Sequence, residues 1–370
     1  MNKIKILYVI ATLDIGGTER QLVELAKGVA GDGYEPVVCC LTRGGPLENE
    51  LKQAGIRVFI LGKKSKRDLS IIFKLAKVIR REKPVIVQTF LWTSNTWGRI
   101  AAVLTGVPVI ISGERSVDLW KGWFEFFTDR MLALFTKKII VNAGAVKKFL
   151  ESKGISGSKI EVIYNGINMP LYENRRNIAE IRASLGLDAG KPVVGFIGRL
   201  CNEKDPVLFA GIAAEILGKK KGAQFLIIGD GELRNETESE LKMLGIKEDV
   251  KMLGYRMDVP EILCAVDVVV LTSKWEGLPN VLMEAGAAAK PAVSFDVGGV
   301  REVIVDGETG FMMPPSDRAG FIEKTLMLLE DPVLARSMGE KAKQHIRGKF
   351  EMSAMIRSTE KIYQEVLECD

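Results

Sequence analysis

Short apolar runs alternate with helical patterns along almost the whole chain. In the first half, runs typical of buried strands occupy residues 4–10, 37–41, 58–61, 86–88, 109–112, 139–142 and 160–164. Amphipathic helical repeats separate several of them, at 20–31, 69–82 and 96–104. Strands that alternate with helices predict a parallel sheet with helices on both faces.

The second half repeats this scheme. Strand patterns occupy residues 193–197, 224–228, 250–253, 268–271 and 291–295, and helical patterns occupy 206–219, 235–244, 319–329 and 332–345. The seam lies near 164–170, before a polar stretch at 173–177. The pattern therefore predicts two doubly wound α/β domains. Ligands bind such sheets beyond the carboxyl ends of the strands, so we expect the active site in the cleft between the domains.

Composition narrows the class of protein. A chain of 370 residues that is 47% hydrophobic and 27% charged is expected to be a globular protein of two domains. No apolar run approaches the roughly 18 residues of a membrane span, and the first ten residues do not resemble a signal peptide. The net charge of +5 is uneven: residues 1–182 hold 29 Lys and Arg against 17 Asp and Glu, and the remainder holds 23 against 30. The two halves are expected to face different partners.

Cysteine and histidine usage excludes several kinds of site. The five cysteines show no metal-ligand spacing and indicate reduced thiols in a cytoplasmic protein. His345 is the only histidine, which argues against His-based metal sites and against Ser-His-Asp triads. We therefore expect no metal site.

The stretch 275–285 places two carboxylates, Glu276 and Glu284, around the start of a predicted helix. Pro279 suits the first turn of that helix, which would end near residue 289. The N–H groups at Asn280 and Val281 would then form an anion site. The alternative is a surface acid and a helix acid that contact nothing.

Glycine-containing loops follow several predicted strands. Gly16-Gly17 lies in the loop after the first predicted strand. Gly198-Arg199 and Lys204 lie in the loop after the predicted strand 193–197. Gly229-Asp230-Gly231, Gly254-Tyr255 and Gly298-Gly299 follow later strands. Such loops let a backbone approach a phosphate, and two cations can clamp a diphosphate. Tight turns and a solvated pair of charges remain the alternatives.

In this order the motifs resemble those of glycosyltransferase family 4, retaining enzymes of the GT-B fold. The resemblance covers essentially the whole chain, including Gly16-Gly17-Thr18-Glu19 and the 276–284 carboxylate pair. It implies two Rossmann-like domains that face each other across a cleft. The first, residues 1–168 together with a returning helix in 352–370, would bind the acceptor, and the second, residues 169–351, would bind the donor. It also implies sugar transfer from a nucleotide-sugar without a cofactor or required metal, with a UDP-sugar as the default donor and GDP as the alternative.

The family's roles carry over to matching positions. Arg199 and Lys204 would neutralise the diphosphate, Glu276 would contact the donor sugar, and Glu284 would hold the ribose. The remaining donor-binding positions that the resemblance implies are Gly16, Gly17, Gly198, Gly229, Asp230, Tyr255, Asn280, Val281 and Leu282.

One departure concerns a histidine that the family usually carries after the strand near residue 85. Residues 87–96 contain none, and Thr93, Ser94 or Asn95 would have to supply replacement hydrogen bonds. The missing histidine keeps one alternative open, a non-catalytic glycosyltransferase-like subunit. A sugar-nucleotide epimerase is the second alternative, but it would normally need N-terminal histidines and acids that are missing here.

The first half suggests the acceptor. Lys63-Lys64-Ser65-Lys66-Arg67 precedes a basic amphipathic helix that could lie on anionic lipid, or could simply cover the sheet. Trp120 and Trp123 belong to an aromatic cluster, and Glu114-Arg115 follows a strand, so these four join Thr93 and Asn95 as candidate acceptor contacts. We expect a glycan or lipid-linked acceptor and a cytoplasmic enzyme that attaches peripherally to the membrane. No nucleic-acid-binding motif accompanies the basic charge.

Overall fold

The computed structural model describes residues 3–31, 33–65, 68–173 and 177–368. The chain divides into two compact units. Unit 1 runs to Gly166 and also contains the last helix from Met352, and unit 2 is Ile167–Glu351. Of the residues discussed above, Lys66, Arg67, residues 174–176 of the polar stretch and one of the five cysteines, Cys369, lie outside the described ranges.

Unit 1 holds a seven-stranded parallel sheet in the order β3-β2-β1-β4-β5-β6-β7. The strands are β1 (Ile4–Ile10), β2 (Tyr34–Cys40), β3 (Arg57–Ile60), β4 (Ile86–Phe90), β5 (Val109–Glu114), β6 (Lys138–Val141) and β7 (Ile160–Val162). The helices of this unit, numbered in chain order, are α1 (Gly17–Val29), α2 (Glu48–Gln53), α3 (Ser70–Glu82), α4 (Leu91–Leu104), α5 (Trp123–Ala133), α6 (Gly144–Ser152) and α15 (Met352–Glu368).

The central strand β1 shows why this sheet forms. Its residues are apolar without alternation, as expected for a parallel strand covered on both faces. Tyr8 faces the core shared with α1 and α15, whereas Leu7 faces the core shared with α3 and α4. The hydroxyl groups of Tyr8 and Tyr363 lie 3.0 Å apart, and Tyr363 also donates to Gln88. The C-terminal helix is thereby bound to β1 and β4.

Helix α3 covers the sheet. Its residues Ile71, Leu75 and Ile79 are buried in the core, whereas Phe73 and the cations of the helix point outward. The apolar face of this basic helix therefore packs on the sheet, and its outer face stays at the surface of unit 1. Within the described part of the chain, no helix is both long enough and apolar enough to cross a bilayer.

Unit 2 holds a six-stranded parallel sheet in the order β10-β9-β8-β11-β12-β13. The strands are β8 (Val193–Ile197), β9 (Gln224–Ile228), β10 (Val250–Gly254), β11 (Val268–Leu271), β12 (Ala292–Phe295) and β13 (Gly310–Met313). The helices are α7 (Ile178–Ser184), α8 (Pro206–Lys219), α9 (Arg234–Met243), α10 (Val259–Ala265), α11 (Asn280–Ala287), α12 (Val300–Val303), α13 (Arg318–Glu330) and α14 (Pro332–Lys349).

Several helices of unit 2 begin where the sequence signals them. The Asp205 carboxylate accepts from the N–H of Leu208, and Pro206 occupies the first turn of α8. Asp331 caps α14 in the same way, with Pro332 following it. Several elements differ from the prediction. The unit 2 sheet has an additional edge strand, β13, α4 begins at Leu91 rather than at Thr96, and several short helices were not predicted.

Candidate functional site

The loops after β8, β9, β11 and β12 pack on one another at the carboxyl edge of the unit 2 sheet. Gly229 has a φ of +132°, and a Cβ at this position would lie 2.0 Å from the carbonyl oxygen of Gly198. Gly298 has a φ of +54°, and a Cβ there would lie 1.9 Å from the carbonyl oxygen of Glu276. Only glycine allows backbones to come this close. Gly198 and Gly229, which the sequence assigns to the donor, thus hold neighbouring loops together.

Glu276 lies buried, 4% exposed, between β11 and α11. Its Oε1 accepts hydrogen bonds from Lys204 Nζ and, at 2.6 Å, from Ser273 Oγ. Burial lowers the pKa of Lys204, but the carboxylates of Glu276 and Glu203 outweigh burial and raise it overall. Glu276 is therefore a partnered, buried carboxylate. Ser273 and Glu203 were not recognised in the sequence, where their only signal is a position just after a strand.

A second cation, Arg199, belongs to the same electrostatic cluster. Its side chain is exposed. Burial raises the pKa of Glu203, and the charges of Lys204 and Arg199 oppose that rise. The Asp230 carboxylate accepts a hydrogen bond from the backbone N–H of Gly231 and another, at 3.1 Å, from the guanidinium of Arg234. Tyr255, after β10, is 56% exposed. At this edge Lys204 is thus a half-buried, paired cation and Arg199 an exposed one.

Helix α11 starts beside this cluster. Pro279 is its N-cap, one position before the first turn in which the sequence predicts it. Asn280 and Val281 are the first helical residues, and the N–H of Leu282 donates to the carbonyl of Pro279 at 3.1 Å. The Leu282 N–H, assigned to the donor from the sequence, is therefore engaged within the helix. Glu284 is half-buried and shares a helix face with Asn280, four residues earlier.

In unit 1 the Gly16-Gly17 turn lies at the start of α1. Gly16 is the extended N-cap, and Gly17 is the first helical residue. A Cβ on Gly16 would lie 2.2 Å from Oε2 of Glu19, so that carboxylate covers the turn.

The early start of α4 changes the position of two candidate acceptor contacts. Asn95 lies buried on the helix, where its Oδ1 accepts from Thr89 at 2.6 Å and its Nδ2 donates to Glu114 Oε1 at 2.8 Å. Ser94 is also buried, and Thr93 is half-buried in the first turn. The expectation that Asn95 contacts the acceptor is corrected here, because the helix carries its side chain into the interior against β4 and β5.

Glu114 is likewise part of the interior. It belongs to an ionic cluster, defined here as Arg99, Glu114, Asp118, Lys121 and Asp129. Burial raises the pKa of Glu114 to about 7, an effect that the nearby ammonium of Lys121 opposes. Lys121 Nζ lies 3.5 Å from Glu114 and 3.0 Å from Asp129. The prediction that Glu114 contacts the acceptor is thus replaced by an internal role, which the sequence did not show because Lys121 and Asp129 stand among aromatic residues.

The other acceptor candidates differ in exposure. Arg115 donates to Asn165 at 2.9 Å, lies over the ring of Phe90, and has a pKa lowered to about 10 by burial. Trp120 is 57% exposed and Trp123 is 79% exposed. Only the two tryptophans are mainly at the surface.

Two family descriptions match the chain, one in each half. Residues 15–169 match Glycosyltransferase Family 4, and residues 177–345 match Glycosyl transferases group 1. The chain belongs to glycosyltransferase family 4. The glycosyltransferase is an enzyme of the hexosyltransferase type.

Curated relatives and solved structures agree with this family. An Escherichia coli UDP-Gal:alpha-D-GlcNAc-diphosphoundecaprenol alpha-1,3-galactosyltransferase is 27% identical over 352 residues, which cover 90% of each chain. A Campylobacter jejuni undecaprenol-linked alpha-1,4-N-acetyl-D-galactosaminyltransferase is 28% identical over 98% of this chain and 99% of its own. Anabaena HepE in complex with UDP-glucose superposes with a TM-score of 0.89, at 22% identity, over 98% of this chain and all of the other. The glycosyltransferase therefore has the GT-B fold.

The residue that follows β4, where the histidine implied by the resemblance is missing, has an unusual backbone conformation. Leu91 takes a φ of +65° and turns the chain directly from strand into helix. This left-handed conformation costs a residue other than glycine about 1–2 kcal/mol. The single histidine, His345, lies far along the chain on α14. Among the residues that the structure describes, no group of three or more His, Cys, Asp or Glu side chains is placed to hold a metal.

Proposed function

We propose that the glycosyltransferase moves a hexosyl group from a UDP-sugar to a lipid-linked or glycan acceptor, with retention of configuration and without a metal ion. The observation that carries this proposal is the ion pair between buried Glu276 and half-buried Lys204, with Arg199 close enough for its charge to act on the neighbouring Glu203. The substrate class comes from relatives, since the Escherichia coli protein is named for a UDP-sugar donor and an undecaprenol-linked acceptor.

The charges at this edge suit a diphosphate leaving group. Arg199 and Lys204 are two cations that would stabilise the negative charge growing on the phosphates, which a metal ion does in other enzymes. Glu284 would accept hydrogen bonds from the ribose hydroxyls, and Glu276 from hydroxyls of the donor sugar. Preorganised groups of this kind lower the barrier because they need not reorient during the reaction.

The hydrogen bonds of Glu276 favour one course for the reaction. Its Oε1 already accepts from Lys204 and Ser273, and these hydrogen bonds stabilise the charge of the carboxylate and weaken it as a nucleophile. We therefore propose a same-face displacement. The bond from the anomeric carbon to the diphosphate oxygen breaks, the acceptor oxygen bonds to that carbon on the same face, and the acceptor's proton passes to the leaving phosphate.

The acceptor class implies a place of action. A lipid-linked glycan is held at a membrane, so we propose that the enzyme attaches peripherally to the cytoplasmic face. Trp120, which is exposed on unit 1, would contact the acceptor there.

Donor binding tests the proposal directly. We would measure the thermal shift caused by UDP, several UDP-sugars and GDP-mannose on the wild type, Arg199→Ala and Arg336→Ala. Arg336 is a matched control because it is an exposed arginine on α14 of the same unit. We expect one UDP-sugar to stabilise the wild type and Arg336→Ala, and Arg199→Ala to bind it at least about tenfold more weakly, since charge-assisted phosphate contacts are strong.

Turnover then separates the enzyme from its alternatives. With a diphosphopolyprenol-linked glycan, an active transferase releases UDP only when the acceptor is present. Donor binding without turnover would support a non-catalytic subunit. Conversion of the donor in the absence of an acceptor would support an epimerase. If neither UDP nor any nucleotide-sugar stabilises the protein, the proposed function is wrong.

A further inference from the structure

Helix α5 and the two residues after it expose a stripe of large apolar side chains. Trp123, Phe127, Met131 and Leu134 recur at spacings of three or four residues, so they share one helix face. This α5 stripe, which we define as the exposed residues Trp123, Phe124, Phe127, Met131, Leu134 and Phe135, faces away from unit 1. Clusters of this kind mark sites of interaction.

The inner face of α5 explains why its apolar side chains lie outside. Asp129 on this face pairs with Arg99 of α4 at 2.7 Å and with Lys121 at 3.0 Å. These groups are almost completely buried. The helix is thus fixed to the body of unit 1 by buried ion pairs together with the packing of Phe126 against Phe149, while its largest exposed side chains are apolar. Packing within the unit does not account for the outward stripe.

The charge around the stripe indicates its partner. Helices α3, α4 and α5 lie side by side over one face of the sheet, because α3 and α4 share a core and Arg99 joins α4 to α5. The outer side of α3 carries four exposed cations, Lys74, Lys77, Arg80 and Arg81. The same layer therefore presents an apolar stripe and a basic surface.

We propose that the α5 stripe inserts into the surface of an anionic bilayer while the cations of α3 contact its headgroups. Tryptophan and phenylalanine are suited to the boundary between headgroups and acyl chains, and basic residues are attracted to anionic lipid. A dimer through the same face is disfavoured because it would bring two equally basic surfaces together. The inference specifies the membrane attachment proposed above.

Fluorescence of Trp123 tests the insertion on the full chain. Vesicles of phosphatidylethanolamine and phosphatidylglycerol, with and without brominated acyl chains, would be compared with phosphatidylcholine vesicles at low salt. We expect a blue shift and bromine quenching only with the anionic lipid. The Trp123→Phe variant keeps the apolar surface, so it should still sediment with vesicles while losing most of the quenching.

Matched variants test the stripe itself. Phe124→Glu/Leu134→Glu should weaken vesicle binding at least tenfold, whereas Met243→Glu/Val333→Glu, two equally exposed apolar residues of unit 2, should leave it unchanged. Lys77→Glu/Arg80→Glu should weaken binding mainly at low salt. Thermal stabilisation by UDP should be the same in all these variants, so a failure here is distinguishable from a failure of the proposed function.

Three results would overturn the inference. One is equal vesicle binding by wild type and Phe124→Glu/Leu134→Glu. The second is quenching that requires a diphosphopolyprenol lipid in the vesicle, which would assign the stripe to the acceptor's chain. The third is a wild-type dimer in solution that these substitutions convert to a monomer without any change in lipid binding.

Discussion

Lys204 donates a hydrogen bond to Glu276 across 72 residues of sequence, and the two charges neutralise each other at the carboxyl edge of the unit 2 sheet. The pair forms because β8 and β11 are neighbours in the sheet. A diphosphate that binds at this edge must therefore compete with Glu276 for the ammonium of Lys204. If the donor binds at this edge as proposed, its affinity is coupled to the position of Glu276.

The first prediction concerns this competition. Glu276→Gln should bind UDP a few-fold more tightly, because Lys204 loses the carboxylate that neutralises it. Transfer should nevertheless slow by about 100-fold or more, since a positioned polar group at the reacting centre is lost. Isothermal titration calorimetry with UDP and a transfer assay would measure the two effects.

The control for this prediction uses the same cation. The Glu203 carboxylate lies 3.5 Å from Lys204 Nζ. The hydroxyl of Ser273, however, donates to Glu276. Glu203→Gln should therefore change transfer much less than Glu276→Gln does. Equal losses in the two variants, or abolished UDP binding in Glu276→Gln, would contradict the coupling.

The second prediction concerns the loop contact behind Glu276. An alanine at Gly298 would place its Cβ 1.9 Å from the carbonyl oxygen of Glu276, so Gly298→Ala should displace that loop and slow transfer by more than about tenfold. Gly307 also has a positive φ, +75°, but a Cβ there meets nothing within 4 Å. Gly307→Ala should cost about 1–2 kcal/mol of stability and leave transfer unchanged. Urea unfolding and a transfer assay check both variants; similar activities would show that the contact is unimportant.

The third prediction is a pH dependence of stability. Burial raises the pKa of Glu114 from 4.5 to about 7, so between these values the folded protein holds a proton that the unfolded chain has released. The contribution of Glu114 to the free energy of unfolding therefore falls as the pH rises through this range. Glu114→Gln removes the titration, and it should reduce the loss of stability between about pH 5 and pH 8.

Urea unfolding at both pH values measures this loss. Glu323→Gln, at an exposed position on α13, serves as the control and should behave like the wild type. A Glu114→Gln protein with the full wild-type pH dependence would show that another group is responsible.

The sequence alone predicted the two α/β sheets and most of their elements. Continuous apolar runs such as Ile6–Ile10 can be buried only in a sheet covered on both faces, and residues such as Asp205-Pro206 mark helix starts locally. It missed β13 because Gly310–Met313 is a short edge strand without alternation. It placed the start of α4 too late because Leu91 enters the helix through a conformation that its residue type does not signal.

The tertiary structure decided which of the predicted residues work together. The sequence named Lys204 and Glu276 and ordered the loops after the strands, but the adjacency of β8 and β11 is what pairs the two charges. It could not show that Asn95 and Glu114 turn inward, since burial depends on the helix that packs over them. Helix α5 buries the ion pairs of Asp129 and exposes most of its aromatic side chains. The sequence could not show this, because the carboxylate of Asp129 is paired with Arg99, which lies 30 residues earlier in the chain.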